Sequence, residues 1–181
     1  VAAGPAVLPL LTEGPAMRCA VRVLRKGEWD EAEEVGAVSL DYDGRQRRRL
    51  RMTDDAGAPF LLDLAQVTPM RDGDALALAG GGALRIIAAP EPVAEVTAET
   101  PLACIKLAWH LGNRHTPVQI LSERHLRIRR DGVLMDMATS LGAAVSEADA
   151  PFEPEAGAYG GNADHGHSHS HSHSHGRAHG H

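Results

Sequence analysis

The chain has 181 residues, enough for one domain or two small ones with a buried core, and too few for a large multidomain machine. Its 18 Lys and Arg against 24 Asp and Glu leave a formal charge of -6, and Trp, Tyr and Phe number two each, a balance that disfavours nucleic-acid binding. The anomaly is 11 histidines, and the core must be built from Leu, Val, Ile, Ala and Met.

Residues 1–16 carry no packing pattern and are expected to be mobile; they lack the basic residues that precede a signal-peptide core. No stretch approaches the roughly 18 uncharged apolar residues of a membrane span. Cys19 and Cys104 form neither a CxxC pair nor a disulfide ladder, so a reducing, cytoplasmic setting without a membrane partner is expected.

Residues 17–89 alternate short apolar runs with turn signals. The runs are Arg18 to Leu24, Val35 to Leu40, Arg47 to Met52, Phe60 to Leu64, Asp74 to Leu78 and Ala83 to Ile87, which predict an all-β small barrel or sandwich. Arg45-Gln46-Arg47-Arg48-Arg49-Leu50-Arg51 is the main positive cluster. Strand alternation splits it between two faces, and Asp41, Asp43, Asp54 and Asp55 sit nearby. It reads as a solvated, self-neutralised edge strand, with a protein-docking patch as the functional alternative.

Ala89-Pro90-Glu91-Pro92 reads as a hinge, because two prolines fix φ and remove donors where the strand pattern stops. Beyond it, residues 90–150 give strand, helix, strand, strand, helix, strand. Val93 to Ala98 is the first strand. Thr100-Pro101 caps a helix whose Leu102, Ile105, Ala108 and Trp109 are expected to pack on a sheet, with Gly112-Asn113 as its stop. Val118 to Leu121 and His125 to Arg129 form a hairpin. Asp131 caps a second helix carrying Val133, Leu134, Met137 and Leu141, Gly142 ends it, and Ala143 to Ser146 is the last strand. That order is the ferredoxin-like βαββαβ unit, so the fold class is α+β. Two helices on one face leave the other face to the β domain or to a second subunit.

Residues 151–181 hold Gly, Pro, Ser and His without apolar periodicity and are expected to be disordered. His165, His167, His169, His171, His173, His175, His179 and His181 are eight of the 11 histidines. Neutral imidazole suits nickel, copper and zinc, and each added ligand closes only a short loop. Interleaved Ser168, Ser170, Ser172 and Ser174 set the tail apart from an unbroken purification tag.

His110-Leu111-Gly112-Asn113-Arg114-His115, followed by Thr116-Pro117-Val118-Gln119-Ile120, resembles the GNRH-x-P-x-Q-I segment of the UreE urease accessory proteins, a family of nickel metallochaperones. Asp131 to Met137 with Leu141-Gly142 resembles that family's D-x-V-L-x-x-M helix. The resemblance implies a homodimer in which His115 binds nickel where two subunits meet, with zinc or copper as in vitro substitutes. It also implies delivery to the apo-urease activation complex alongside the accessory GTPase, with residues 17–89 as the docking half. His110, five residues earlier and about 140° around a helix, is a secondary candidate. Where some members carry a histidine pair before the second helix, this chain has Arg130, Asp131 and Gly132, which removes those extra ligands.

A storage or buffering protein for nickel or zinc predicts the same tail but needs no symmetric His115 site. A metal-dependent hydrolase needs fixed ligands, an open position and a general base, and no HExxH-type spacing occurs, so no enzyme activity is expected.

Overall fold

A computed structural model describes residues 17–156; the expected mobile segment 1–16 and all eight tail histidines lie outside the described residues. The first sheet contains β1 (Arg18–Leu24), β2 (Glu34–Leu40), β3 (Arg49–Thr53), β4 (Pro59–Asp63), β5 (Ala75–Leu78) and β6 (Ala83–Ala88) in the spatial order β2-β6-β5-β1-β4-β3. The β1–β4 and β2–β6 pairs are parallel and the others antiparallel. The sheet curls until its ends meet. In the turn after β3, the Asp55 N–H donates to Ala37 O of β2 (2.9 Å), and the Asp55 carboxylate accepts from Ser39 N–H (2.8 Å). The result is a half-barrel filled by Phe60, Leu62, Leu76, Leu84 and Ile86, all fully buried.

The second unit runs β7 (Pro90–Thr97), α1 (Pro101–Gly112), β8 (Gln119–Ser122), β9 (His125–Arg129), α2 (Gly132–Ser140) and β10 (Ala144–Pro151). Its sheet order, β10-β7-β9-β8, is that of the ferredoxin-like unit, with every pairing antiparallel. Alternation along β7 and β9 sends Ala94, Val96, Leu126 and Ile128 to the helical side, against Leu107 and Leu111 of α1 and Ala138 of α2.

Pro90 and Pro92 do not form a hinge. They belong to β7, opposite Pro151 and Asp149 of β10. Arg130 N–H donates to Pro92 O (3.1 Å), so the polar edge of Pro92 faces β9, whose pairing with β7 begins only at Val93. The proline nitrogens therefore face away from β10 and interrupt none of its ladder. β10 correspondingly extends beyond the expected Ser146 to Pro151.

The helical faces also differ from expectation. α1 buries Cys104, Leu107 and Leu111, while Leu102, Ile105 and Trp109 stand 63%, 66% and 64% exposed. In α2, Val133 is exposed, and Ala138 is the fully buried residue.

The chain remains packed past Pro151, where the tail was expected to begin. Phe152 is fully buried and meets the Tyr42 ring edge-on at 5.5 Å. Arg45, expected to be solvated, is also buried; its guanidinium donates to Phe152 O and pairs with Glu153 (3.2 Å). These contacts join the two sheets, and Glu155 N–H then donates to Val118 O (2.9 Å).

Candidate metal centre

α1 starts as its sequence demands: the Thr100 hydroxyl accepts from Ala103 N–H (3.2 Å) and Pro101 takes the first helical position. Its exit decides the geometry of His115. The helix ends at Gly112 with Asn113 as its C-cap, where the sequence placed its stop. His115 N–H donates to Gly112 O (2.9 Å) and Thr116 N–H to Leu111 O (3.4 Å), the paired bonds of a Schellman exit. That motif needs one residue in the left-handed region, and His115 supplies it with φ 54°, the one non-glycine residue with positive φ among the described residues.

α2 ends with the same two bonds, from Gly142 N–H to Thr139 O (2.9 Å) and Ala143 N–H to Ala138 O (3.1 Å). There the left-handed position belongs to Gly142, φ 85°. An imidazole stands at one helix exit where the other has the residue that the backbone prefers.

His115 is exposed at the rim of a cleft of about 560 Å³ between the two sheets, with Asp41, Asp43 and Glu91 on one side and Arg129, Arg130 and Asp131 on the other. The carboxylates there are already engaged. Asp43 pairs with Arg129 (2.9 Å), Asp41 accepts from Gly44 N–H (2.7 Å), Glu91 from Tyr42 N–H (2.7 Å) and Asp131 from Leu134 N–H (3.0 Å). No side chain among the described residues hydrogen-bonds the His115 imidazole, and no three His, Cys, Asp or Glu among them are arranged to hold an ion. Among the described residues His115 is the histidine that lines this cleft, and a tight site there needs ligands from elsewhere.

His110 does not line that cleft. It sits half-buried in the last turn of α1, edge-on to Trp109 (4.9 Å), and its carbonyl accepts from Arg114. His125 Nε2 lies 2.6 Å from Glu95 Oε2, and the other Glu95 oxygen is held by Arg127. That imidazole is turned toward Glu95 and Arg127, away from the cleft that His115 lines, and its buried Nε2 makes no hydrogen bond of good geometry. Cys104 is in the helical core, where burial pushes its thiol pKa up and removes it as a thiolate ligand. Arg130, at the position of the missing histidine pair, bonds Glu147 (2.9 Å).

Sequence reasoning missed Arg45 and Phe152, which fix where residues after Pro151 leave the fold. The available signal was a large apolar aromatic, Phe152, at the start of a polar stretch.

Residues 20–89 match the family model for the UreE urease accessory protein N-terminal domain, and residues 91–181 match that for its C-terminal domain. This chain belongs to the UreE urease accessory protein family. The urease accessory protein UreE of Bradyrhizobium sp. strain BTAi1 is 51% identical over 140 residues, covering 77% of this chain and 67% of the relative. That of Rhodopseudomonas palustris strain HaA2 is 50% identical over 131 residues, covering 72% and 60%. That of Beijerinckia indica is 46% identical over 145 residues, covering 80% and 83%. Both halves of the UreE architecture are thus present, α+β as expected, and no described helix is long and apolar enough to cross a membrane.

Proposed function

We propose that this UreE-family chain is a non-enzymatic, cytoplasmic nickel chaperone for assembly of the urease active site. It works as a homodimer in which His115 of each subunit contributes to one shared ion. The observation that carries this reading is the histidine at the left-handed exit of α1, a position where α2 has glycine. A residue held in a costly conformation marks a functional demand.

Three further observations support it. The exposed His115 imidazole of each protomer becomes a pair under two-fold symmetry. Leu102, Ile105 and Trp109 form an exposed apolar stripe running down α1 toward the turn that carries His115, suited to burial against a second copy. Glu155, where the described chain ends its contacts, is bonded to Val118, three residues past His115. His165 follows ten positions after Glu155, and tethering so near in sequence raises the effective concentration of the tail imidazoles at the His115 turn. His165, His167, His169, His171, His173, His175, His179 and His181 then gather ions and pass them to His115 by ligand exchange, with His110 as a secondary ligand. The receiving partners are the accessory GTPase and the apo-urease complex.

Nickel calorimetry with parallel mass determination tests this on the intact chain, on a chain ending at Asn162 and on His115→Ala. One tight ion per dimer should survive truncation and vanish in His115→Ala, while total capacity falls with the tail. Binding that follows the tail alone, indifferent to His115 and to dimerisation, would make the protein a nickel or zinc buffer. Because imidazole must be neutral to ligate, bound nickel should also fall from pH 8 to pH 5; constant loading would point to other ligands.

A further inference from the structure

We infer that residues 151–156 form a strap aiming the histidine tail at the His115 turn, with Arg45 and Gln119 as its positioning residues; this rests on the nickel exchange between tail and His115 proposed above. The strap leaves β10, on one edge of the second sheet, and reaches β8 on the other. Arg127 of β9 donates to Pro151 O (2.6 Å), Glu153 N–H to the Gln119 side-chain oxygen (3.1 Å) and Glu155 N–H to Val118 O (2.9 Å). Arg127 and Gln119 are register partners that alternate with inward-facing Leu126, so the strap crosses the face opposite the helices. Between Glu153 and Glu155 its partner falls back from Gln119 to Val118. The chain therefore advances toward Pro117 and the His115 turn.

Arg45 sets the register of the strap. Its guanidinium is 2% exposed and meets four acceptors: Leu40 O (3.3 Å), Met70 O (3.4 Å), the Glu153 carboxylate (3.2 Å) and Phe152 O. The same Glu153 oxygen accepts from Asp72 N–H (2.8 Å). Two apolar surfaces could join the sheets without burying a charge, and often do so with no loss of stability. What they cannot do is tell one strap residue from the next. The planar fork of Arg45 takes the carbonyl of Phe152 and the carboxylate of Glu153 together, so a slip of one residue would unpair a buried charge and lift Phe152 off Tyr42. Gln119 fixes the other end, its side-chain oxygen engaged by the Glu153 N–H.

A released strap would return the last anchor of the tail to Pro151, at the end of β10. The path to His115 would then grow by residues 152–155 and by the width of the sheet, three inter-strand steps or about 14 Å. Encounter between tethered groups falls with the length of the tether and with the span it must cover, here by roughly two- to fourfold. Arg45 and Gln119 touch no metal in this arrangement; they act by placing the start of the tail.

Exchange through the tail speeds the departure of nickel as well as its arrival, so release can be read directly. Dimer loaded with one nickel ion is mixed with excess 4-(2-pyridylazo)resorcinol, and the absorbance of the nickel–dye complex is followed in time. Four proteins are compared: the parent and the combined Arg45→Met and Phe152→Ser variant, each with the full tail and each ending at Asn162. Neither residue belongs to the buried cluster of either sheet, and Glu153, left without Arg45, is already 37% exposed. Gln119→Ala, which removes one bond from a half-buried side chain, is the milder variant. With the full tail, the combined variant should slow release about two- to fourfold and Gln119→Ala should shift it the same way. In the chain ending at Asn162 neither should change it. Equal slowing at both lengths would reveal a merely structural role and overturn the inference, as would unchanged release in the full-length variants while truncation slows the parent. If truncating the parent leaves release unchanged, the exchange between tail and His115 fails, and this inference with it. Hydrogen exchange on the metal-free, full-length protein reads the strap independently of nickel: the Glu153 and Glu155 amides should be protected in the parent and lose protection in the combined variant. Unprotected amides in the parent would overturn the strap itself.

Discussion

His115 holds a left-handed conformation that costs a non-glycine residue about 1–2 kcal/mol, and neither bond of the turn involves its side chain. His115→Gly should therefore raise stability by up to about 1 kcal/mol in urea unfolding while abolishing the shared nickel site. A loss of stability would show that the imidazole packs and that the strain argument is misplaced. The motif that contains His115 and the helix stop at Gly112-Asn113 were legible in the sequence; the left-handed conformation of His115 was not. The overlooked signal is Pro117, which disfavours helical backbone at Thr116 and so forces the exit one residue earlier, at His115. A second residue matters for folding alone. The Asp54 carboxyl is held below its usual value of 3.8, chiefly by the hydrogen bond from Arg18 and then by the Ala58 N–H. A lowered folded-state pKa contributes stability above the usual value and loses it as pH falls through the lowered one. Asp54→Asn should thus lower the thermal midpoint at pH 7, and its gap from the parent protein should close in acid; a gap independent of pH would contradict the ion-pair account.

α1 shows where periodicity alone falls short. Leu102, Ile105 and Trp109 recur at helical spacing, and so do Cys104, Leu107 and Leu111. The helix carries two apolar stripes, and only tertiary packing tells which faces the sheet. The structure buries the second set and leaves the first to solvent in the protomer. The excess apolar positions leave an exposed surface that the proposed dimer would bury. Ile105→Glu places a charge on that exposed stripe without touching the core, so the thermal midpoint should move little while the mass in solution drops from dimer to monomer. Nickel affinity should fall with it, because the shared site needs both copies. A dimer that persists in Ile105→Glu would place the interface on another surface. The α2 reading erred similarly: Val133 fits the apolar spacing yet is 77% exposed.

The α+β division and the order of elements followed from turn residues, caps and alternation, all local signals. Strand order in the first sheet did not, because β1–β4 and β2–β6 are non-local parallel pairings with no sequence mark. Nor did the junction of the two sheets, since Arg45 looks solvated within an arginine-rich run until Phe152 and Glu153 are brought to it. That junction bears on function. It carries the chain from β10 to Val118, beside the His115 turn, so a tail read only as low-complexity sequence starts next to the site it would feed. The central claim is one ion shared by two subunits through His115. Anomalous diffraction at the nickel edge from crystals of the nickel-loaded dimer tests it most directly. The account predicts a peak on the two-fold axis within bonding distance of both His115 imidazoles, about 2.0–2.2 Å for a nitrogen ligand. A nickel peak away from His115, or an occupied dimer whose two His115 side chains lie far apart, would contradict it.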